Sequence, residues 1–123
     1  MNDRFKFRVP VFDEGKFLCF HFFNAIDGAD HYREIGPYAH GKEEQCTGLK
    51  DKNGRLIYEG DIVESTRATR NNKPARDVVK YDNEFAGFDP MCCYDCDCGI
   101  YNPADELVVI GNIHENPELL EDK

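Results

Sequence analysis

The sequence contains no tryptophan, and no apolar run approaches the roughly 20 residues that a membrane-spanning helix requires. The second absence excludes a helical membrane protein. Positive charge is also scarce. Fifteen Lys and Arg face 24 Asp and Glu, a formal net charge of −9. Proteins that hold phosphate backbones by counterion release usually carry the opposite sign, so general nucleic-acid binding is disfavoured. The same charge repels anionic membranes. The opening Met1-Asn2-Asp3-Arg4-Phe5-Lys6 lacks the basic-then-apolar layout of a secretory signal, so the cytoplasm is the expected compartment. There the six cysteines are expected as thiols or metal ligands before disulfides. No internal repeat and no linker divides the 123 residues, which suits one domain over 1–123.

What the chain does have is aromatic bulk. Nine Phe and six Tyr are expected to matter most to a modest core, since each can bury a large area. They fall in short segments bounded by turn residues. Phe5-Lys6-Phe7-Arg8-Val9-Pro10-Val11 alternates at period two and predicts a strand. Pro10 has no amide donor, so that strand is expected to end there or to lie at a sheet edge. Asp13-Glu14-Gly15-Lys16 predicts a turn into a second, Phe-rich strand over 17–26, making an N-terminal hairpin. The stretch 27–41 is weakly patterned, with at most a short helical turn near 30–35.

Strand character resumes over 44–49. Asn53-Gly54 then predicts a hairpin with a type I′ turn. Leu56-Ile57-Tyr58 returns. Gly60 and Asp61 bend the chain, with the Asp61 carboxylate free to accept turn amides, and Ile62-Val63 opens the next strand. The polar stretch 65–76 predicts a solvated loop. Further strands are predicted at 77–81, 85–88 and 107–110. Asn116-Pro117-Glu118 predicts a short terminal helical turn.

Two clusters carry candidate chemistry. Cys92, Cys93, Cys96 and Cys98 place four thiols within seven residues, and Cys93 and Cys96 have the C-x-x-C spacing that grips zinc. A closed site usually takes two such pairs from separate parts of the chain, and one is present. Inert loop thiols are therefore the preferred reading, with structural zinc as the alternative cofactor. Arg67, Arg70, Lys73 and Arg76 form a basic island that suits a phosphate or an acidic partner, weighed against a plain solvated loop. His21, His31, His40 and His114 show no paired ligand spacing, and the acids Asp51 and Asp61 lack the remaining ligands of a calcium loop. No catalytic constellation is visible, so an enzyme is not expected.

The run from Gln45 to Val63 closely resembles the central motif of the YopX-like family of bacteriophage and prophage proteins. Phe5-Lys6-Phe7-Arg8 resembles that family's opening strand, Val78-Val79-Lys80-Tyr81-Asp82 a later one, and Val109 to Leu120 its closing block. Phe12 stands where the opening strand more often shows Trp, and the cysteine-rich segment lies outside the common pattern. The resemblance implies a mainly β fold with a small SH3-like barrel core and a viral or prophage origin. It brings no established activity and no catalytic residues. The expectation is thus a barrel with an N-terminal β-hairpin and a short C-terminal helical turn. Its function is expected to be non-enzymatic, by binding protein or a second copy of itself as a homo-oligomer. The alternative is nucleic-acid binding or regulation through 67–76.

Overall fold

The computed structural model describes residues 5–24, 35–70, 72–83, 87–89 and 104–120. Among the described residues ten strands run in order: β1 Lys6–Asp13, β2 Lys16–Asn24, β3 Ala39–His40, β4 Glu44–Lys50, β5 Leu56–Tyr58, β6 Asp61–Arg70, β7 Lys73–Val78, β8 Lys80–Asp82, β9 Gly87–Asp89 and β10 Leu107–Asn112. Three-residue and four-residue 3-10 turns, Ala104–Glu106 and Pro117–Leu120, flank β10. The mainly β architecture with a short C-terminal turn matches the expectation. No helix among the described residues is long and apolar enough to cross a membrane.

A five-stranded sheet has the order β2-β1-β4-β5, with β3 also paired to β1, and it curls into a half-barrel. A second sheet has the order β10-β6-β7, and β8 pairs with β9. The main core lies where the sheets meet: Ile57, Val63, Val79, Phe88, Leu107 and Val109 pack together. Fully burying each such aliphatic side chain contributes about 1.5–3 kcal/mol. A smaller cluster of Val9, Val11 and Ile35, flanked by Phe23, covers the other face of β1. Period two explains the division. Val9 and Val11 face this cluster, while Arg8 faces the concave side.

Four sequence expectations need correction. First, β1 continues through Pro10 and lies inside its sheet, with β2 on one side and β3 and β4 on the other. The Pro10 carbonyl accepts the Gly41 amide at 2.9 Å, so its nitrogen also faces that side. That nitrogen falls between the ladder pairs Arg8–Glu44 and Val11–His40, where no strand requires a donor. Gly41 permits the approach, because a Cβ there would lie 2.8 Å from the Pro10 ring.

Second, the Asn53-Gly54 hairpin is present but not as a type I′ turn. Gly54 has φ +84° while Asn53 keeps a negative φ. The Gly54 amide donates to the Asp51 carbonyl at 3.0 Å, and the Asp51 amide donates to the Arg55 carbonyl at 2.8 Å. This is the longer hairpin loop in which one left-handed glycine follows an ordinary turn. Third, 65–76 is no loop. β6 and β7 form a hairpin reaching the pair Arg70–Lys73, with Asn72 at φ +65° in the turn. Pro74 is tolerated because β7 is an edge strand. Fourth, the strand expected over 77–81 is interrupted at Val79, whose amide and carbonyl turn aside to bond Asp61 and Gly60.

Candidate functional site

The concave face of the half-barrel holds a buried ion network. Arg8, from the centre of β1, is its hub. Its Nε donates to Glu44 Oε1 at 2.7 Å, and its Nη2 donates to the Glu59 carbonyl at 3.1 Å. The same Nη2 lies 2.9 Å from Asp61 Oδ1, an ion-pair contact rather than an aligned hydrogen bond. Asp61 Oδ2 accepts the Tyr58 amide at 2.8 Å. Burial pushes the Asp61 carboxyl above its ordinary pKa, and the Arg8 charge and the Tyr58 amide pull against that shift. The guanidinium meets two aromatic rings, 3.9 Å from the Phe20 ring centre and 4.9 Å from that of Tyr58.

Local chemistry positions these groups. Gly60, at φ +85°, turns the chain so that Asp61 reaches back to Tyr58, and a Cβ on Gly60 would lie 2.8 Å from the Glu44 carboxylate. The turn after β10 delivers His114, whose Nε2 meets Glu44 Oε2 at 2.7 Å. Its ring lies among Phe12, Phe17 and Phe20, stacked on Phe17 at 5.8 Å. His114 thereby ties the C-terminal block to the N-terminal hairpin.

Above the network, the curl brings β2 towards β5. Phe22 meets Tyr58 edge-to-face with ring centres 5.6 Å apart. Between them and the β4–β5 turn lies an open groove of about 430 Å³, with Arg8 in its floor and Phe22, Lys50, Arg55, Leu56 and Tyr58 around it. The buried network organises this surface, and among the described residues nothing in it pairs a nucleophile with a base.

The residues predicted from sequence lie elsewhere. Arg67 and Arg70 are on β6, and Lys73 and Arg76 on β7, so they belong to two paired strands. Arg76 is already engaged: its Nε donates to Glu64 Oε2 at 2.9 Å and its Nη1 to the Leu119 carbonyl at 3.2 Å. Cys92, Cys93, Cys96 and Cys98 lie outside the described residues. Of the other cysteines, Cys19 is exposed on β2 and Cys46 is buried on β4. The acids of the 51–61 block have structural partners. Asp51 alone accepts the amides of Asn53, Arg55 and Val109, each at 2.9 Å.

Sequence reasoning missed Arg8, Glu44 and His114 as a unit. The one available signal was a cation at the centre of a strand predicted to be half-buried. Lys50 and Arg55 were passed over because the turn between them explained the block as backbone geometry.

These features define a small β module with a curled sheet, a buried ionic hub and an open edge. The chain belongs to the YopX family: the match to that family, described as YopX protein, spans residues 21–121. The chain is also similar to protein EF1440 from Enterococcus faecalis, known from a crystal structure. The two share 26% identity over 94% of this chain and 97% of that one, with a TM-score of 0.49. No curated protein matches the chain significantly.

Proposed function

We propose that this YopX-family chain is a non-enzymatic accessory protein, of phage or prophage origin as the resemblance implies, that acts by self-association through β2. The carrying observation is the open edge of that strand. β2 terminates the order β2-β1-β4-β5, and among the described residues only β1 pairs with it. The orientation of Pro10 sets which amides face outward. Pro10 turns its backbone groups away from β2, so its partner Phe20 turns its own away from β1, and Phe22 does the same two residues on.

The usual protections of an edge are sparse here. Across Lys16–Asn24 the one Lys or Arg is Lys16, at the end, and there is no Asp, Glu or Pro. Leu18 and Phe22 are 49% and 57% exposed. A second copy can add its β2 antiparallel, joining backbone groups across a two-fold axis.

Sedimentation velocity across a concentration series tests this. The wild type should gain mass with concentration, and Leu18→Lys should remain a monomer over the same range. A wild type that stays monomeric throughout removes the proposal, as does a Leu18→Lys variant that still assembles.

A further inference from the structure

We propose that the groove between β2 and the β4–β5 turn binds a small aromatic anion: a flat ring against Phe22, and one phosphate or carboxylate between Lys50 and Arg55. This goes beyond self-association and does not depend on it.

Charge is the first argument. No carboxylate is among the described residues that line the groove, in a chain whose formal net charge is −9. Among the described residues the Lys50 and Arg55 side chains reach no carboxylate at ion-pair distance, and the Arg55 charge acts on Asp61 only from farther off. Surface cations of an acidic protein commonly find a carboxylate; among the described residues these two flank one turn with no carboxylate at contact distance. Gly54, between them at φ +84°, leaves open space where a side chain would project. The groove therefore stays accessible from the turn.

Shape is the second. About 430 Å³ falls within the range of small-molecule sites. Among the described residues Phe22 is the most exposed of the large apolar side chains, yet its ring is held in place by Tyr58. Stacking a flat ligand ring on such a platform removes apolar area from water and suits a second π system.

The floor of the groove fixes where the anion can sit. Arg8 in the floor cannot supply its charge, because Glu44 and Asp61 already meet it. The anionic end thus belongs at the rim, on Lys50 and Arg55, and the ring belongs over Phe22 and Tyr58. The overall negative charge selects for size as well. A ligand with one or two charges gains more from the rim than it loses to the distant field, whereas a long polyanion meets that field along its length.

Backbone-amide NMR titration of the full chain, in the Leu18→Lys background, tests the idea separately from self-association. The probes are AMP, benzoate, adenosine and inorganic phosphate. AMP or benzoate should give saturable shifts at Phe22, Lys50, Gly54 and Arg55 with a Kd of about 1 mM or below. Which of the two binds more tightly identifies the phosphate or the carboxylate source. Adenosine and inorganic phosphate should each bind at least about tenfold more weakly. Lys50→Ser with Arg55→Ser, both exposed positions, should weaken binding about tenfold while the spectrum stays dispersed. Phe22→Ala should do the same. The proposal fails if neither ring-bearing anion gives saturable shifts there, if inorganic phosphate alone binds as well, or if the double variant binds unchanged.

Discussion

Replacing Arg8 by Met tests how strongly the ionic hub holds the fold. Met keeps the length and apolar bulk of the side chain and removes its charge. In the wild type, Glu44 has two partners at 2.7 Å, Arg8 Nε and His114 Nε2, while Asp61 has Arg8 and the Tyr58 amide. In Arg8→Met, Glu44 keeps the histidine and Asp61 keeps one amide, so two buried carboxylates face each other's neighbourhood without their shared cation. Breaking a buried pair from one side costs about 3–5 kcal/mol, most of it the penalty of the stranded charge. The lost cation–π contacts to Phe20 and Tyr58 are partly replaced by thioether–aromatic contacts. Set against a typical total stability of about 5–15 kcal/mol, this is a large fraction. Urea unfolding at neutral pH, followed by circular dichroism because the chain has no Trp, is the assay. With an m-value of about 1.5–2 kcal/mol/M, the midpoint should fall by about 2 M. Adding Glu44→Gln and Asp61→Asn to Arg8→Met should restore part of the loss. A single-variant loss below about 1 kcal/mol, the scale of an exposed pair, would refute the reasoning. So would a triple variant weaker than the single one.

Three further outcomes follow from the same geometry. Gly60→Ala forces a Cβ into a left-handed position and to 2.8 Å from the Glu44 carboxylate, so thermal melting should show a loss of at least about 1–2 kcal/mol; an unchanged midpoint would count against the Gly60–Glu44 contact. Asp51→Ala strips three amides of their acceptor, and the Val109 amide is buried, so urea unfolding should report a loss of about 2–4 kcal/mol, larger than that from Asp51→Asn, which keeps an acceptor oxygen. Asp61 gives a pH signature. Its folded pKa is raised above 3.8, so between that value and the folded pKa the native state holds a proton that the unfolded chain has released. Its contribution to stability is therefore greatest below 3.8 and falls as pH rises through the folded pKa. The wild type should lose stability relative to Asp61→Asn across a pH series of urea unfolding curves. The opposite slope would mean that the Arg8 contact outweighs burial.

What the sequence made legible was local. Glu14-Gly15, Asp51 to Gly54 and Gly60-Asp61 mark their turns because the chemistry of a turn lies within three or four residues. Even there the signal has limits. Asn53-Gly54 places a hairpin, but the Asp51 carboxylate, reaching as far as Val109, helps select a different loop from the one the dipeptide suggests. The β6–β7 arm was hidden for the opposite reason. Its alternation is polar on both faces, so period two carries no contrast between core and solvent. The hub was beyond reach altogether. Arg8 and Glu44 are 36 residues apart and Glu44 and His114 are 70 apart, so no spacing rule joins them; the pairing of β1 with β4 and the turn after β10 do.

The groove shows the same logic at the surface. Phe22 comes from a strand whose aromatic character was plain, and Lys50 and Arg55 flank a turn that was plain too. Each had a sufficient structural explanation by itself. Their meeting over Arg8 does not follow from any of the three segments. It requires β1 to keep a cation at the centre of a strand, where apolar packing alone would favour Val. That choice is one place where local pattern and global structure disagree, as Pro10 inside its sheet is another. Such disagreements are where a sequence departs from simple fold-building. Arg8 is therefore the residue that links how the chain folds to what its concave face can present.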